Sequence, residues 1–367
     1  MNLLKEKRTF LLISPEGWGD NMLSKHHYAT ELANLGHNVY FLNPPGCQSK
    51  DETSPNSSNL KVITHWAIKG TSRLPGNLSR LVQSFEIKMI LKKMKTKPDI
   101  VWSFDPYRLQ WLRDFGAKIT IYHAVDNHFT PREKIIEHEA DLVFSNAESI
   151  LKKLTSKKKY LIKHGLASHF INPDLVEVQL PGTNKIKAGY IGNLANTLID
   201  FKQLEQAIVN NPMVDFYFIG PKGKSNLSNS HQSENFERVI ESKKNAYYLG
   251  PKSTFLLPSY LNLLDILILA YKQDRSGFTV NPHKLLEYLS SGKIIIATLM
   301  GEFFQGLDEL IERVPESGLF SQHFEKVLRD LQPFLNDDKI KRRKEIAFNN
   351  SYSVRLHEIF DIIERSL

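Results

Sequence analysis

DILILAYKQDRSGFTVNPHKLLEYLSSGKIIIAT, residues 265–298, places one amphipathic stretch between two apolar runs. Ile266 to Ala270 is an unbroken apolar run of strand length. A polar loop follows, then apolar residues at helical spacing to Ser291, and Ile294 to Ala297 is apolar again. A strand that passes into a helix and returns as a strand is the building unit of a parallel sheet, because parallel neighbours need a crossover. Pro282 suits the first helical position, where the missing N–H has no partner to lose. The helix start therefore offers free amides and a positive dipole end to the loop before it.

The same alternation extends to both sides. Toward the N-terminus, Phe10 to Ser14 reads as a strand, Pro15 to Leu23 as a loop with Gly17 and Gly19, Ser24 to Leu35 as a helix stopped by Gly36, and Asn38 to Leu42 as the next strand. Further strands are expected at Leu60–Thr64, Ile100–Ser103, Ile119–His123, Leu142–Ser145 and Tyr160–Lys163. INPDLVEVQLPGTNK, Ile171 to Lys185, has two prolines, a glycine and no periodicity, and reads as a linker. Alternation then resumes with strands Ala188–Ile191, Asp215–Ile219 and Ala246–Leu249, and helices Phe201–Asn210, Glu234–Ser242 and Leu256–Leu263. Lys222 to Gln232, rich in Ser, Asn, Gly and Lys, reads as a mobile loop. A chain of 367 residues exceeds what one core usually holds. The fold class is thus α/β with two parallel-sheet domains, over 1–172 and 186–345, followed by a helical segment in 346–367.

Composition limits the function classes. With 41% hydrophobic and 24% charged residues the chain is a folded protein. No apolar run approaches the roughly 20 residues of a membrane span. The opening MNLLKEKRTFLLIS leads into a loop and helix without a small-residue cleavage site, so it reads as a first strand. Cys47 is the one cysteine, which excludes an internal disulfide and suits a cytoplasmic protein. The net charge of +8 is uneven: residues 1–175 hold 25 Lys and Arg against 17 Asp and Glu, and the remainder 23 against 23. Much of the excess lies in Glu86–Lys97 and Leu151–Lys163. In the first, Ile87, Ile90, Leu91 and Met94 recur at helical spacing among lysines, as in a helix lying on an anionic membrane; the alternative is a solvated charged face. The lysine clusters lack interleaved aromatics, so no nucleic-acid partner is expected.

Within residues 265–298, Glu287 lies one to two turns inside the helix, where its two carboxylate oxygens can accept from both hydroxyls of a ribose. Lys284 precedes it by one turn and is a further candidate for the donor site. The alternative for either, taken alone, is a solvated helix residue. NPHKLLEYLSSGKIIIAT, Asn281 to Thr298, resembles a segment of GT-B glycosyltransferases, in particular retaining family 4 and its teichuronic-acid-type members. The resemblance implies two Rossmann-like domains facing a central cleft, the second holding a nucleoside diphosphate sugar and the first the acceptor. It also implies that Glu287 binds ribose.

A second family glutamate, eight positions earlier, contacts the donor sugar, and this chain has Thr279 there. IKAGYIGNLANTLIDFKQLEQAI, Ile186 to Ile208, resembles the first strand, loop and helix of the donor domain, with Gly192 approaching the diphosphate. The family's diphosphate-binding Arg and Lys are replaced by Asn193 and Leu198, so another cation is needed. Arg275 is the first candidate and Lys252 the second. AYYLGPKSTFLLPSYL, Ala246 to Leu261, resembles the stretch that holds the base. GWGDN, Gly17 to Asn21, holds the place of a glycine loop under the donor phosphates, with Gly19 the candidate contact; a structural turn is the alternative. His123 ends a strand on the ligand side of the sheet, near where the family places a group at the reacting sugar, with Asp126 as the alternative and a buried structural histidine as the plainer reading. KHGLASHF, Lys163 to Phe170, resembles the end of the acceptor domain, and Asn349 to Ile363 the family's last helix, which implies that 346–367 crosses back to the first domain.

There is no Asp-x-Asp, and adjacent His26 and His27 point apart on a helix, so no metal is expected. The resemblance implies a metal-independent hexosyltransferase that retains configuration. It would need no cofactor beyond a UDP- or GDP-sugar co-substrate. Its acceptor would be a cell-envelope, polysaccharide or lipid-linked glycan at the inner membrane face. The alternatives are a nucleotide-sugar epimerase and a non-catalytic partner protein.

Overall fold

The structure is a computed structural model that describes residues 6–19, 22–46, 52–53, 57–68, 70–71, 74, 76–126, 130–222, 237–238, 240, 242–273, 284–298 and 306–366. The chain divides into two compact units, Met1–Gly165 with Tyr352–Leu367, and Leu166–Ser351. The division falls at Gly165/Leu166, ahead of the Ile171–Lys185 stretch that reads as a linker in sequence. Residues 166–185 lack periodicity because most of them run over the surface of the second unit.

The first unit runs β1 (Thr9–Ile13), α1 (Ser24–Asn34), β2 (Asn38–Leu42), β3 (Glu52–Thr53), β4 (Leu60–Ile63), α2 (Gly76–Met94), β5 (Ile100–Ser103), β6 (Ile119–Ala124), α3 (Pro131–Glu139), β7 (Leu142–Ser145), α4 (Glu148–Leu151) and β8 (Lys159–Leu161). Its strands order as β3-β4-β2-β1-β5-β6-β7-β8. Each described pairing is parallel except β3 with β4, which is antiparallel. β5, β6 and β7 are buried at every position, which is why they read as continuous apolar runs instead of alternating ones. Pro131 opens α3, and the Thr130 hydroxyl accepts from the Glu133 N–H at 3.2 Å. Inside α2, Ile87, Ile90 and Met94 are core residues. Three of the four residues in the stripe that sequence offered to a membrane therefore lie in the core.

The second unit runs α5 (Ser168–Ile171), β9 (Ile186–Ile191), α6 (Phe201–Asn210), β10 (Val214–Ile219), β11 (Ala246–Gly250), α7 (Leu257–Leu263), β12 (Ile266–Leu269), α8 (Lys284–Ser291), β13 (Ile294–Thr298), β14 (Glu312–Val314), α9 (Phe320–Arg329) and α10 (Asp337–Phe348). The order β11-β10-β9-β12-β13-β14 is parallel throughout. Asp200 caps α6, its Oδ1 accepting from the Gln203 N–H at 3.1 Å. β3 and β14 are absent from the sequence reading because two and three residues carry no period to detect. Most of the Lys222–Gln232 loop, and parts of the helix expected at Glu234–Ser242, lie outside the described residues.

Helix α11 (Tyr352–Ser366) belongs to the first unit. Leu356, Ile359, Phe360 and Ile363 recur on one buried face. The Phe360 ring lies 6.3 Å from Phe10 and 5.7 Å from His37, and Tyr352 stacks on His27 at 4.9 Å.

Candidate functional site

In the second unit the winding of the sheet reverses between β9 and β12, the position at which open α/β sheets bind ligands. β9 and β10 each run into a glycine. Gly192 and Gly220 adopt φ of +149° and +141°, and a Cβ on Gly220 would overlap the Gly192 carbonyl. The Gly192 N–H donates to the Ile219 carbonyl and the Leu194 N–H to that of Pro221, both at 2.8 Å. Only glycine permits two backbones this close.

Lys284, the first residue of α8, reaches the same point. A Cβ on Gly192 would overlap its Nζ. The ammonium donates to the Tyr190 hydroxyl at 2.9 Å and lies 4.5 Å from the centre of that ring and 5.9 Å from that of Tyr271. The residue is 8% exposed and, among the described residues, has no ion-pair partner. Burial works to lower its pKa, but the surrounding oxygens of Tyr190, Tyr271 and Tyr288 outweigh that and leave it raised. Lys284 is therefore a buried cation at neutral pH, a costly state that calls for an anion nearby.

Glu287 follows one turn along α8 and is half-buried. Burial pushes its carboxyl up to about 7, against the pull of the Lys284 charge. Tyr288 anchors the helix, its hydroxyl accepting from the Ile191 N–H at 2.8 Å. Thr298 joins β12 to β13: it accepts from the Tyr271 N–H at 3.0 Å and donates to the Leu269 carbonyl at 3.2 Å.

The structure thus brings together Gly192, Lys284 and Glu287. Asn193 turns back on its own loop, its Oδ1 accepting from the Ala195 N–H at 2.9 Å. Lys252 follows β11 at the sheet edge, its Nζ 5.8 Å from the Tyr260 ring, with β10 between its strand and β9. Arg275 and Thr279 lie outside the described residues. Sequence reasoning missed the tyrosines. Their signal was spacing: Tyr190 shares a strand face with Gly192, and Tyr288 a helix face with Lys284.

In the first unit the corresponding reversal lies between β1 and β5. The loop after β1 is held from inside. The His26 Nδ1 accepts from the Leu23 N–H at 2.9 Å, so its Nε2 carries the proton, which it gives to the Gly17 carbonyl at 3.1 Å. Burial lowers the His26 pKa to about 4. Beside it, buried Lys25 pairs with Glu16. Gly19 is exposed, and a Cβ there meets nothing, so that glycine answers no packing demand.

His123 is 2% exposed and surrounded by rings, with Phe104 at 5.0 Å, Phe144 at 5.8 Å, Trp102 at 5.9 Å and Tyr28 at 6.0 Å. Burial, then the neighbouring charges of His164 and Lys25, lower its pKa to about 3. It is neutral at physiological pH and too weak a base to take a proton there. Asp126 is exposed in the loop beyond β6. His164 stands beside this end of the sheet, its Nε2 2.9 Å from the Asn146 amide.

Comparison with known proteins places this arrangement. The chain superposes on sucrose-phosphate synthase from Thermosynechococcus elongatus with a TM-score of 0.71 and 14% identity, over 98% of this chain and 100% of that one. HepE from Anabaena, solved with UDP and glucose, gives a TM-score of 0.69 and 14% identity over the same shares. The fold is GT-B. A glycosyltransferase from Rickettsia africae matches this GT-B chain with a TM-score of 0.67 and 14% identity, over 98% of each chain. In sequence, 185 residues are 28% identical to a Bacillus subtilis protein that carries the name teichuronic acid biosynthesis glycosyltransferase, TuaH. That match spans 46% of this chain and 44% of TuaH, less than half of either. No family model matches the chain. The GT-B likeness extends over both units, and the candidate cluster occupies the second.

Proposed function

We propose that the chain is a glycosyltransferase that moves a sugar from a nucleoside diphosphate sugar to a glycan or lipid-linked acceptor of the cell envelope, without a metal and with retention at the anomeric carbon. One observation carries the reading: a buried ammonium, Lys284, with no ion-pair partner among the described residues, and a carboxyl of raised pKa, Glu287, meet at the glycine-lined strand ends of the second unit. The names and ligands of the GT-B neighbours support it, since HepE is recorded with UDP and with UDP-glucose.

In the reaction the bond from the sugar C1 to the diphosphate oxygen breaks and its electron pair stays on the diphosphate, while an acceptor oxygen bonds C1 on that same face and its hydroxyl proton passes to the departing diphosphate oxygen. The charge that develops lies on the diphosphate. Lys284 is fixed before the reaction, so it offsets that charge without reorganising. Gly192, lacking a side chain, lets the phosphates approach the backbone. Glu287, ionised, accepts from the ribose hydroxyls. The arrangement favours Lys284 over Lys252 as the principal counter-charge. The first unit, with the excess positive charge, takes the acceptor, at the inner face of the membrane.

Calorimetric titration of UDP and GDP into wild type and Glu287→Ala tests the donor site. Tight binding of one nucleotide, weakened at least about tenfold in the variant, is expected for a carboxylate that bonds the ribose. A folded wild type that binds neither nucleotide would overturn the reading and leave a non-catalytic partner protein.

A further inference from the structure

Helix α2 has two apolar faces, and the fold uses one. Ser79, Gln83, Glu86, Ile87, Ile90 and Met94 form the inner face. On the opposite side Leu78 is 47% exposed, Leu81 69%, Phe85 54% and Met89 51%. These four recur at three- and four-residue steps, so they form one stripe along the helix. Aligned large apolar side chains on a surface differ from scattered exposed ones; a continuous patch marks an interaction site. Lys88 and Lys92 lie on the same side, and the helix end adds Lys93 and Lys95. The single carboxylate of α2, Glu86, is turned inward, where it accepts from the Ile68 N–H at 2.8 Å.

The Glu86 bond and a second one, from the Lys93 ammonium to the Thr64 carbonyl at 2.8 Å, lay segment 64–68 along α2. Trp66, in that segment, is 73% exposed. The outer face of α2 thus combines an apolar stripe with lysines and carries no outward acid, and the exposed Trp66 lies in a segment bonded to the same helix.

We propose that the outer face of α2 docks on an anionic lipid bilayer. Leu78, Leu81, Phe85 and Met89 enter the boundary between headgroups and acyl chains, and Lys88 and Lys92 meet the headgroup charges. Charge complementarity selects this occupant, because the whole net +8 of the chain lies in its first 175 residues, which contain this helix. No helix among the described residues is long and apolar enough to cross a membrane, so the contact is interfacial. The surface differs from the one legible in sequence, since Ile87, Ile90 and Met94 face the core. The proposal does not rest on transferase activity.

Co-sedimentation of the full chain with phosphatidylcholine vesicles, with and without phosphatidylglycerol, tests it. Wild type is expected to pellet with the anionic vesicles alone. Leu81→Ser/Phe85→Ser/Met89→Ser is expected to lose at least about tenfold in affinity, and Lys88→Glu/Lys92→Glu more than about twentyfold. Both sets replace exposed residues, and an unchanged thermal midpoint confirms that each variant is folded. The proposal is overturned if wild type ignores anionic vesicles, or if the folded triple-serine variant binds them as wild type does. It is also overturned if light scattering shows that wild type dimerises through this stripe, with a concentration-dependent mass that the serine variant lacks.

Discussion

Lys284 has a long aliphatic stem and a charge, and the fold buries both. Tyr190 gives one hydrogen bond acceptor and two rings give their faces, which keeps the ammonium charged but leaves it without a counter-ion among the described residues. Lys284→Met keeps the packing and removes the charge. It is expected to lower kcat/KM by roughly 10²–10³ and to weaken UDP or GDP binding, while binding of the parent nucleoside, measured well above the Glu287 pKa of about 7 so that the carboxylate is ionised in both proteins, stays within about twofold. Parallel loss of nucleoside binding would instead mean that the lysine only supports the fold. Glu287 makes a separate prediction through pH. Its free carboxyl titrates at about 7, and ribose hydroxyls stabilise the ionised form, so binding releases a proton. Nucleoside affinity is therefore expected to rise with pH up to about 7 and then level off, measured with uridine or guanosine, which carry no phosphate. Glu287→Gln is expected to flatten that profile.

The elements that build the site depend on packing set elsewhere. Gly192 and Gly220 let β9 and β10 end side by side, and a Cβ on Gly220 would run into the Gly192 carbonyl. Gly220→Ala is therefore expected to destabilise the second unit by about 1–3 kcal/mol, through positive φ and forced separation of the strand ends. It should also weaken nucleotide binding, as read by thermal shift with and without ligand. Helix α11 is the last element in sequence but completes the core of the first unit, with Phe360 against Phe10 and His37. Phe360→Ala is expected to cost about 3–5 kcal/mol. Chemical denaturation followed by fluorescence would show this loss in the first unit, with the nucleotide affinity of the surviving folded protein unchanged.

Taken whole, the molecule holds neutral histidines inside it. His26 and His123 ionise at about 4 and about 3 when folded, both below the ordinary value, because burial disfavours the imidazolium. When the chain unfolds in mild acid, each takes up a proton that the folded state refuses. Stability is thus full above the unfolded histidine value of about 6.5 and is lost as pH falls toward the folded values, by about 3 kcal/mol for His26 and about 5 kcal/mol for His123. The thermal midpoint is expected to fall steeply below pH of about 6.5, and His123→Phe should reduce that slope. Because the chain forms two units, the unfolding trace should be fitted for two transitions before any single stability is assigned.

Periodicity and turn chemistry in the sequence determined the α/β class and most strand positions, because a strand buried on both faces must be an apolar run and each crossover must show helical spacing. Glu287 and Gly192 were also legible, one by its place inside the helix after β12 and the other by the strand that precedes it. Tertiary structure alone showed that Lys284 reaches Gly192. Lys284 and Tyr190 are 94 residues apart, and local spacing carries no information about a contact made by two strand ends and a helix start. It also decided that His123 sits in a wall of aromatic rings, since the end of β6 looks the same in sequence whether it faces solvent or core. Finally, it decided which apolar stripe of α2 is inside. Both stripes satisfy the helical period, and only the sheet beneath breaks the tie by burying Ile87, Ile90 and Met94 and leaving Leu81, Phe85 and Met89 outside.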